Sequence, residues 1–95
     1  MQQEDLQPSI WIFHGAGGRF ASGAFSSREK AEEWIMKHNL TGVLTQYPLD
    51  ISVYDWALKM NFFSPKREEQ KQADFMQKFT SGSQTHFHYD PHDIG

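Results

Sequence analysis

The sequence contains no cysteine among its 95 residues. Disulfides, zinc–thiolate centres and a cysteine nucleophile are therefore excluded. A secreted domain of this length usually carries disulfides, so their absence favours a reducing compartment. The N-terminal residues show no basic segment followed by an apolar run, and no apolar run approaches the ~20 residues that a membrane span needs. We therefore expect a cytoplasmic protein without membrane contact.

Clustered positive charge is also missing. Nine Lys and Arg residues stand against twelve Asp and Glu residues, for a formal net charge of −3. The basic pair Lys66-Arg67 is followed at once by Glu68-Glu69, which indicates a solvated helix surface. Because nucleic-acid binding depends on Lys and Arg that neutralise phosphates, we predict no nucleic-acid partner.

Aromatic residues, by contrast, are abundant, with eight Phe, three Trp and three Tyr. Each ring buries roughly 150–250 Å², so a short chain can form one core without disulfides or metals. The polar ends of the chain show no periodicity. We predict a flexible N-terminal tail at 1–9, a single domain at 10–90 and a C-terminal tail at 91–95.

Hydrophobic periodicity predicts the order of the elements. Apolar runs at 10–14 and 20–25 flank a glycine-rich segment and predict a β-hairpin. A helix is expected from Ser26, which forms a capping-box pattern with Glu29. A strand at 41–47, a helix capped by Asp50 or Ser52, a helix from Ser64-Pro65 and a strand at 84–89 follow. The order β-β-α-β-α-α-β predicts an α+β fold, a small antiparallel sheet with helices packed on one face.

Two histidines in the last strand form the sharpest candidate site. In a strand, alternate residues share a face, so His86 and His88 project together and Asp90 follows them. Two imidazoles and a carboxylate could hold Zn²⁺ or another divalent metal, with His14 or His92 as further ligands. Since Phe87 and Tyr89 occupy the opposite face, the favoured interpretation is a strand that is buried on one side and solvated on the other.

Catalytic signatures are not found. The sequence has no Gly-x-Ser-x-Gly motif, and no local pattern ties a serine to a histidine or a carboxylate. The glycine-rich segment 15–18 lacks a Gly-Lys-Ser/Thr ending and is interpreted as a hairpin tip. An enzyme whose site is assembled in space stays open as an alternative.

Several blocks of the sequence resemble a family of small, uncharacterised bacterial proteins. The resemblance extends from about residue 10 to residue 89 and rests on WxFHG at 11–15, FxSGxF at 20–25, LTGxLTxYPL at 40–49 and VYDWA at 53–57. It implies a bacterial cytoplasmic protein and carries no established activity, so no catalytic residue follows from it.

Small size, acidity and the absence of a catalytic signature favour a protein-binding module. One such protein would be a bacterial immunity protein that neutralises a toxin domain. Tyrosines bring a large contact area and a polar group to interfaces. The residues predicted to bind a partner are Tyr47, Tyr54, Asp55, His86, His88 and Tyr89. The alternative is a domain that binds a metal or a small ligand on the His86/His88 face.

Overall fold

The computed structural model describes residues 8–90, which form a four-stranded antiparallel sheet, three α-helices and one 3₁₀ helix. The predicted α+β class and element order are confirmed. The elements are β1 (Ser9–Gly15), β2 (Gly23–Phe25), α1 (Arg28–Lys37), β3 (Gly42–Pro48), α2 (Val53–Lys59), the 3₁₀ helix (Glu68–Lys71), α3 (Ala73–Lys78) and β4 (His86–Tyr89).

The two predicted tails, 1–9 and 91–95, lie outside the described residues except for Pro8 and Ser9. Ser9 pairs with Pro48 at the first position of β1. The Pro8 carbonyl accepts a hydrogen bond from the Leu49 amide at 2.8 Å. Strand β1 therefore begins at Ser9, one residue before the apolar run that predicted it.

The sheet has the strand order β2-β1-β3-β4. β1 forms the predicted hairpin with β2, and its other edge pairs with β3 over all seven residues, from Ser9–Pro48 to Gly15–Gly42. β4 returns from the helical segment and pairs with β3 from Thr45–His86 to Gly42–Tyr89. The last strand is thereby placed two strands away from β1, which brings distant histidines onto one surface.

One face of this sheet packs against α1 and forms the main core. Phe13 of β1 and Leu44 of β3 are paired across the strands and are both buried, as are Ala31 and Ile35 of α1. The Trp34 ring meets Phe13 edge-on, with ring centroids 5.9 Å apart. Successive side chains of a strand point to opposite faces of the sheet. The residues that alternate with Phe13 and Leu44 therefore point away from α1.

Helix α1 begins one residue later than predicted. The Ser27 hydroxyl accepts a hydrogen bond from the Lys30 amide at 3.2 Å, and Ser27 has extended backbone angles. Ser27, not Ser26, is therefore the N-cap. The helix ends at Lys37 with His38 as its C-cap, and Asn39, whose φ of 53° is left-handed, follows the cap.

The segment between β3 and β4 is organised around a second aromatic cluster. Tyr54 is buried, and its ring contacts Phe63, Phe75 and Phe79 at centroid distances of 5.4–6.1 Å. The Tyr54 hydroxyl donates to the Gln70 carbonyl at 2.7 Å. We call the segment from Val53 to Lys78 the helical unit. It contacts the sheet mainly through α2 and β3.

The helix predicted from Ser64-Pro65 is wrong in its start and its continuity. The Gln70 side-chain oxygen accepts hydrogen bonds from the amides of Lys66 and Arg67, so the chain turns there and a 3₁₀ helix begins at Glu68. Gln72 is extended, with φ −101° and ψ 160°, and it separates the 3₁₀ helix from α3. Local side-chain hydrogen bonds have overridden the Ser-Pro start signal.

Candidate functional site

The face of the sheet that points away from α1 carries three histidines. We call it the histidine face and define it by alternate residues of three strands: Ile10, Ile12 and His14 of β1, Val43, Thr45 and Tyr47 of β3, and His86 and His88 of β4. In the strand register, His14, Val43 and His88 form one row, and Ile12, Thr45 and His86 form the next. The apolar members are half-buried and the histidines are exposed. The antiparallel pairing thus brings together histidines that are more than 70 residues apart in the chain.

The imidazole rings on this face are oriented by backbone carbonyls. The His14 Nε2 atom lies 2.7 Å from the Gly18 carbonyl oxygen, and His86 Nδ1 lies 2.8 Å from the Gln84 carbonyl oxygen. A carbonyl only accepts, so these nitrogens are the donors in the neutral rings. The remaining nitrogen of each ring is then an acceptor. The His86 and His88 rings contact each other at a centroid distance of 5.4 Å, nearly perpendicular.

The four strands that the structure describes contain no Lys, Arg, Asp or Glu. Within residues 8–90, the charged residues therefore lie in the helices and loops. The face combines aliphatic surface with hydrogen-bonding side chains.

A shallow cavity of about 910 Å³ lies at the end of the face where β1 runs into the glycine-rich loop. Its histidine-face lining comes from His14, Val43, Thr45, Tyr47 and His88, and its other wall from the loop 15–18, Thr41, Gly42, Tyr89 and Asp90. Strands and loops supply this lining, so within the part of the chain that the structure describes no helix covers the cavity. A broad, open depression of this kind suits a protruding segment of another molecule better than an enclosed small ligand.

Three of the predicted partner-binding residues come together on this surface. Tyr47, His86 and His88 all belong to the histidine face, and Tyr47 and His88 line the same cavity. Asp55 is exposed, but it lies in the first turn of α2. Three of the six residues therefore share one face of the sheet, and Asp55 lies apart from them.

Tyr54 and Tyr89 do not belong to the histidine face. Tyr54 is only 4% exposed because the second aromatic cluster encloses it. Tyr89 is half-buried and contributes to one wall of the cavity, but it lies on the α1 side of the sheet, where its hydroxyl donates to Glu32 Oε2 at 2.5 Å. The hydroxyls of both tyrosines are hydrogen-bonded inside the domain.

The Tyr89 contact belongs to a small network that fixes β4 to α1. Glu32 also accepts from Arg28 Nε at 3.2 Å, and the Arg28 guanidinium lies 3.6 Å from the centre of the Phe87 ring. Burial, together with the hydrogen bond to Glu32, raises the pKa of Tyr89 to about 12. This network is a structural feature of the core side, and it holds the histidine strand in place.

The metal site predicted from His86, His88 and Asp90 gains no support from the geometry. Among residues 8–90, no three His, Asp or Glu side chains are grouped so that they could hold a metal ion. His92, a further predicted ligand, lies outside the described residues.

The two hydrogen bonds from His14 and His86 go to backbone carbonyls, so they do not activate a hydroxyl nucleophile.

Sequence reasoning missed the combination of His14 and the glycine-rich loop with His88. The glycine-rich pattern predicts a hairpin tip, and the sequence offers His14 only as a further ligand of a metal. The signal that would have joined them is the pairing of β3 with both β1 and β4, which places His14 and His88 on either side of Val43. Without the strand order, that juxtaposition was not predictable.

The fold and surface define a small α+β domain with one core-facing side of its sheet and one solvated side that carries histidines. Within residues 8–90 there is no helix with the length and hydropathy of a membrane span. The chain belongs to a family described as a domain of unknown function (DUF7710), whose model matches residues 10–94. Comparison with curated proteins and with solved structures gives no match.

Proposed function

We propose that this chain is a non-catalytic protein-binding module that docks a partner on the histidine face. The observation that carries the proposal is the placement of His14, Tyr47, His86 and His88 on the sheet face opposite α1, next to an open cavity. Histidine and tyrosine have amphipathic side chains that offer both contact area and a polar group.

The residue composition of the histidine face favours the binding of a protein partner. Because its strands carry no Lys, Arg, Asp or Glu, docking on the strands themselves desolvates none of those ions, and Asp90 lies only at the wall of the cavity. Ile12 and Val43 supply apolar area at its middle, and the imidazole nitrogens supply hydrogen bonds. Interfaces have the same arrangement, with apolar area at the centre and polar groups around it.

The finer hypothesis is a bacterial cytoplasmic immunity protein whose partner is a toxin domain. It rests on the small size and the net charge of −3 of the chain. A toxin gene beside this reading frame, and rescue of growth when this chain is co-expressed with that toxin, would support it. Growth arrest despite co-expression would refute the neutralising role and leave the general binding proposal intact.

Co-purification from the native cell, followed by reconstitution with the purified partner, tests the general proposal. We expect the His86→Ala/His88→Ala double variant to bind at least about tenfold more weakly, which is ~1.4 kcal/mol of binding free energy. The matched control is His38→Ala, because His38 is also exposed but caps the C-terminal end of α1. Equal affinities of wild type and double variant, or a domain that co-purifies with nothing, would contradict the proposal.

A further inference from the structure

One large apolar side chain is far more exposed than any other among residues 8–90. Phe20, in the loop between β1 and β2, is 80% exposed, whereas the next, Met36, is 56% exposed. An exposed phenylalanine contributes nothing to the core and leaves a large ring in water. Single exposed apolar residues are common, so its surroundings decide what it means.

The loop that carries Phe20 is held at both ends by hydrogen bonds. At its start, the Ala16 amide donates to Thr41 and the Gly18 amide donates to Gly15, each at 2.9 Å. At its end, the Ser22 amide donates to the Phe13 carbonyl at 2.9 Å. Gly17 adopts a φ of 82°, which a residue with a side chain would rarely adopt. The loop therefore presents Phe20 from a preorganised position, which reduces the entropy lost on binding.

Arg19 gives the loop between β1 and β2 a positive charge, while Asp90 supplies a carboxylate to the wall of the adjoining cavity. Arg19 is the only Lys, Arg, Asp or Glu between residues 8 and 27, and it is exposed. The molecule as a whole has a net charge of −3, so the charge at the loop has the opposite sign. An arginine beside a projecting aromatic ring is complementary to an apolar pocket with a carboxylate at its rim.

The loop is continuous with the histidine face. Gly15 to Gly18, which precede Arg19 and Phe20, form one wall of the cavity whose other lining includes His14 and His88. His14 is also hydrogen-bonded to the Gly18 carbonyl. A partner seated on the histidine face would therefore also reach the loop.

We propose that Phe20 is the anchor of the docking surface, inserting into an apolar pocket of a protein partner while Arg19 pairs with a carboxylate at the rim of that pocket. This inference rests on the proposed function and adds the residue that contributes most to affinity. Aromatic residues and arginine are enriched in interfaces, and a few buried residues dominate binding.

The probe is the purified partner obtained by co-purification, titrated with variants of the full chain. We expect Phe20→Ala to weaken binding at least about tenfold and Phe20→Leu to weaken it less, because leucine keeps part of the apolar volume. Arg19→Glu should weaken binding more than Arg19→Gln, since it places a negative charge opposite the partner's carboxylate. Met36→Ala, an exposed apolar residue on α1, is the matched control and should bind normally. Thermal denaturation should show an unchanged Tm for Phe20→Ala, which excludes misfolding as the cause.

The possible results separate this inference from the proposed function. If Phe20→Ala binds like wild type while the His86→Ala/His88→Ala variant is weakened, the anchor is refuted and the histidine face stands. If no variant weakens binding, both are refuted. The domain alone could also sediment as an oligomer that Phe20→Ala makes monomeric. In that case Phe20 inserts into a second copy of this chain, and the inference of a different partner is overturned.

Discussion

Tyr89 and His88 are neighbours in the chain but lie on opposite faces of β4, and their surroundings differ accordingly. The Tyr89 hydroxyl donates to the carboxylate of Glu32 on α1, whereas the His88 ring lines an exposed cavity. The alternation of His and aromatic residues at 86–89 predicted these two faces from the sequence. Their partners were not predictable, because Glu32 is 57 residues away in the chain.

Replacing Tyr89 by phenylalanine removes the hydrogen bond to Glu32 and leaves the ring. Hydrogen bonds to charged groups contribute ~1.5–3 kcal/mol, and partial exposure places this one near the lower end of that range. We expect urea denaturation of Tyr89→Phe to show a free energy of unfolding lower by ~1–2 kcal/mol. Tyr47→Phe is the control, because Tyr47 lies on the histidine face, and it should unfold like wild type. Equal stabilities of the two variants would contradict a structural role for the Tyr89 hydroxyl.

The same contact predicts a loss of stability in alkali. In the folded chain the pKa of Tyr89 is about 12, against an ordinary value of 10.0. The unfolded chain therefore ionises first, so the contribution of Tyr89 is fully present below pH 10.0 and is lost as the pH rises to about 12. Tyrosinate absorbance should show one tyrosine titrating late, and that late step should disappear in Tyr89→Phe. A late step that persists in this variant would assign the high pKa to another tyrosine.

At the scale of elements, sequence patterns predicted the number and order of helices and strands, but not every boundary. The capping-box spacing to Glu29 favoured Ser26 as the N-cap, whereas the backbone angles and the hydrogen bond from Lys30 select Ser27. The helix expected after Ser64-Pro65 is replaced by a 3₁₀ helix because Gln70 binds two preceding amides. Both differences arise from specific hydrogen bonds that residue preferences do not specify.

The cap of α1 provides a direct comparison of the two serines. Ser27→Ala removes the side-chain acceptor of the Lys30 amide and should lower the free energy of unfolding by ~1 kcal/mol. Ser26→Ala should change it by less than about half that amount, since Ser26 is exposed and precedes the cap. Chemical denaturation of both variants measures the difference. A larger loss in Ser26→Ala would restore the boundary predicted from the sequence.

The pairing of β1 and β3 depends on Gly42. Its φ is 151°, and a Cβ at this position would overlap the His14 carbonyl oxygen and lie 2.8 Å from the Gly15 Cα. Backbone atoms of a central strand cannot move aside, so Gly42→Ala should destabilise the domain by at least about 2 kcal/mol. In Gly82→Ala the new Cβ would meet nothing within 4 Å, and the change should be small. A Gly42→Ala variant with the Tm of wild type would contradict the described register.

At the scale of the whole molecule, the domain consists of a sheet with α1 on one face, and a helical unit with its own aromatic cluster. Composition predicted a single small domain, and the aromatic content predicted a core without disulfides. The division of the aromatic residues into two clusters was not predictable, because the sequence does not specify which distant rings Phe13 or Phe63 will contact. The histidine face follows from the strand order, which places His14 of β1 and His88 of β4 on either side of β3.

The most direct test of this account is to map the partner on the domain by NMR. Isotope-labelled domain is titrated with the unlabelled, co-purified partner, and the backbone amide shifts of residues 8–90 are followed. We predict the largest changes at His14 to Phe20, at 43–47 and at 86–88, with little change in α2 and α3. Changes confined to the helical unit between Val53 and Lys78, with the histidine face unaffected, would contradict the central claim.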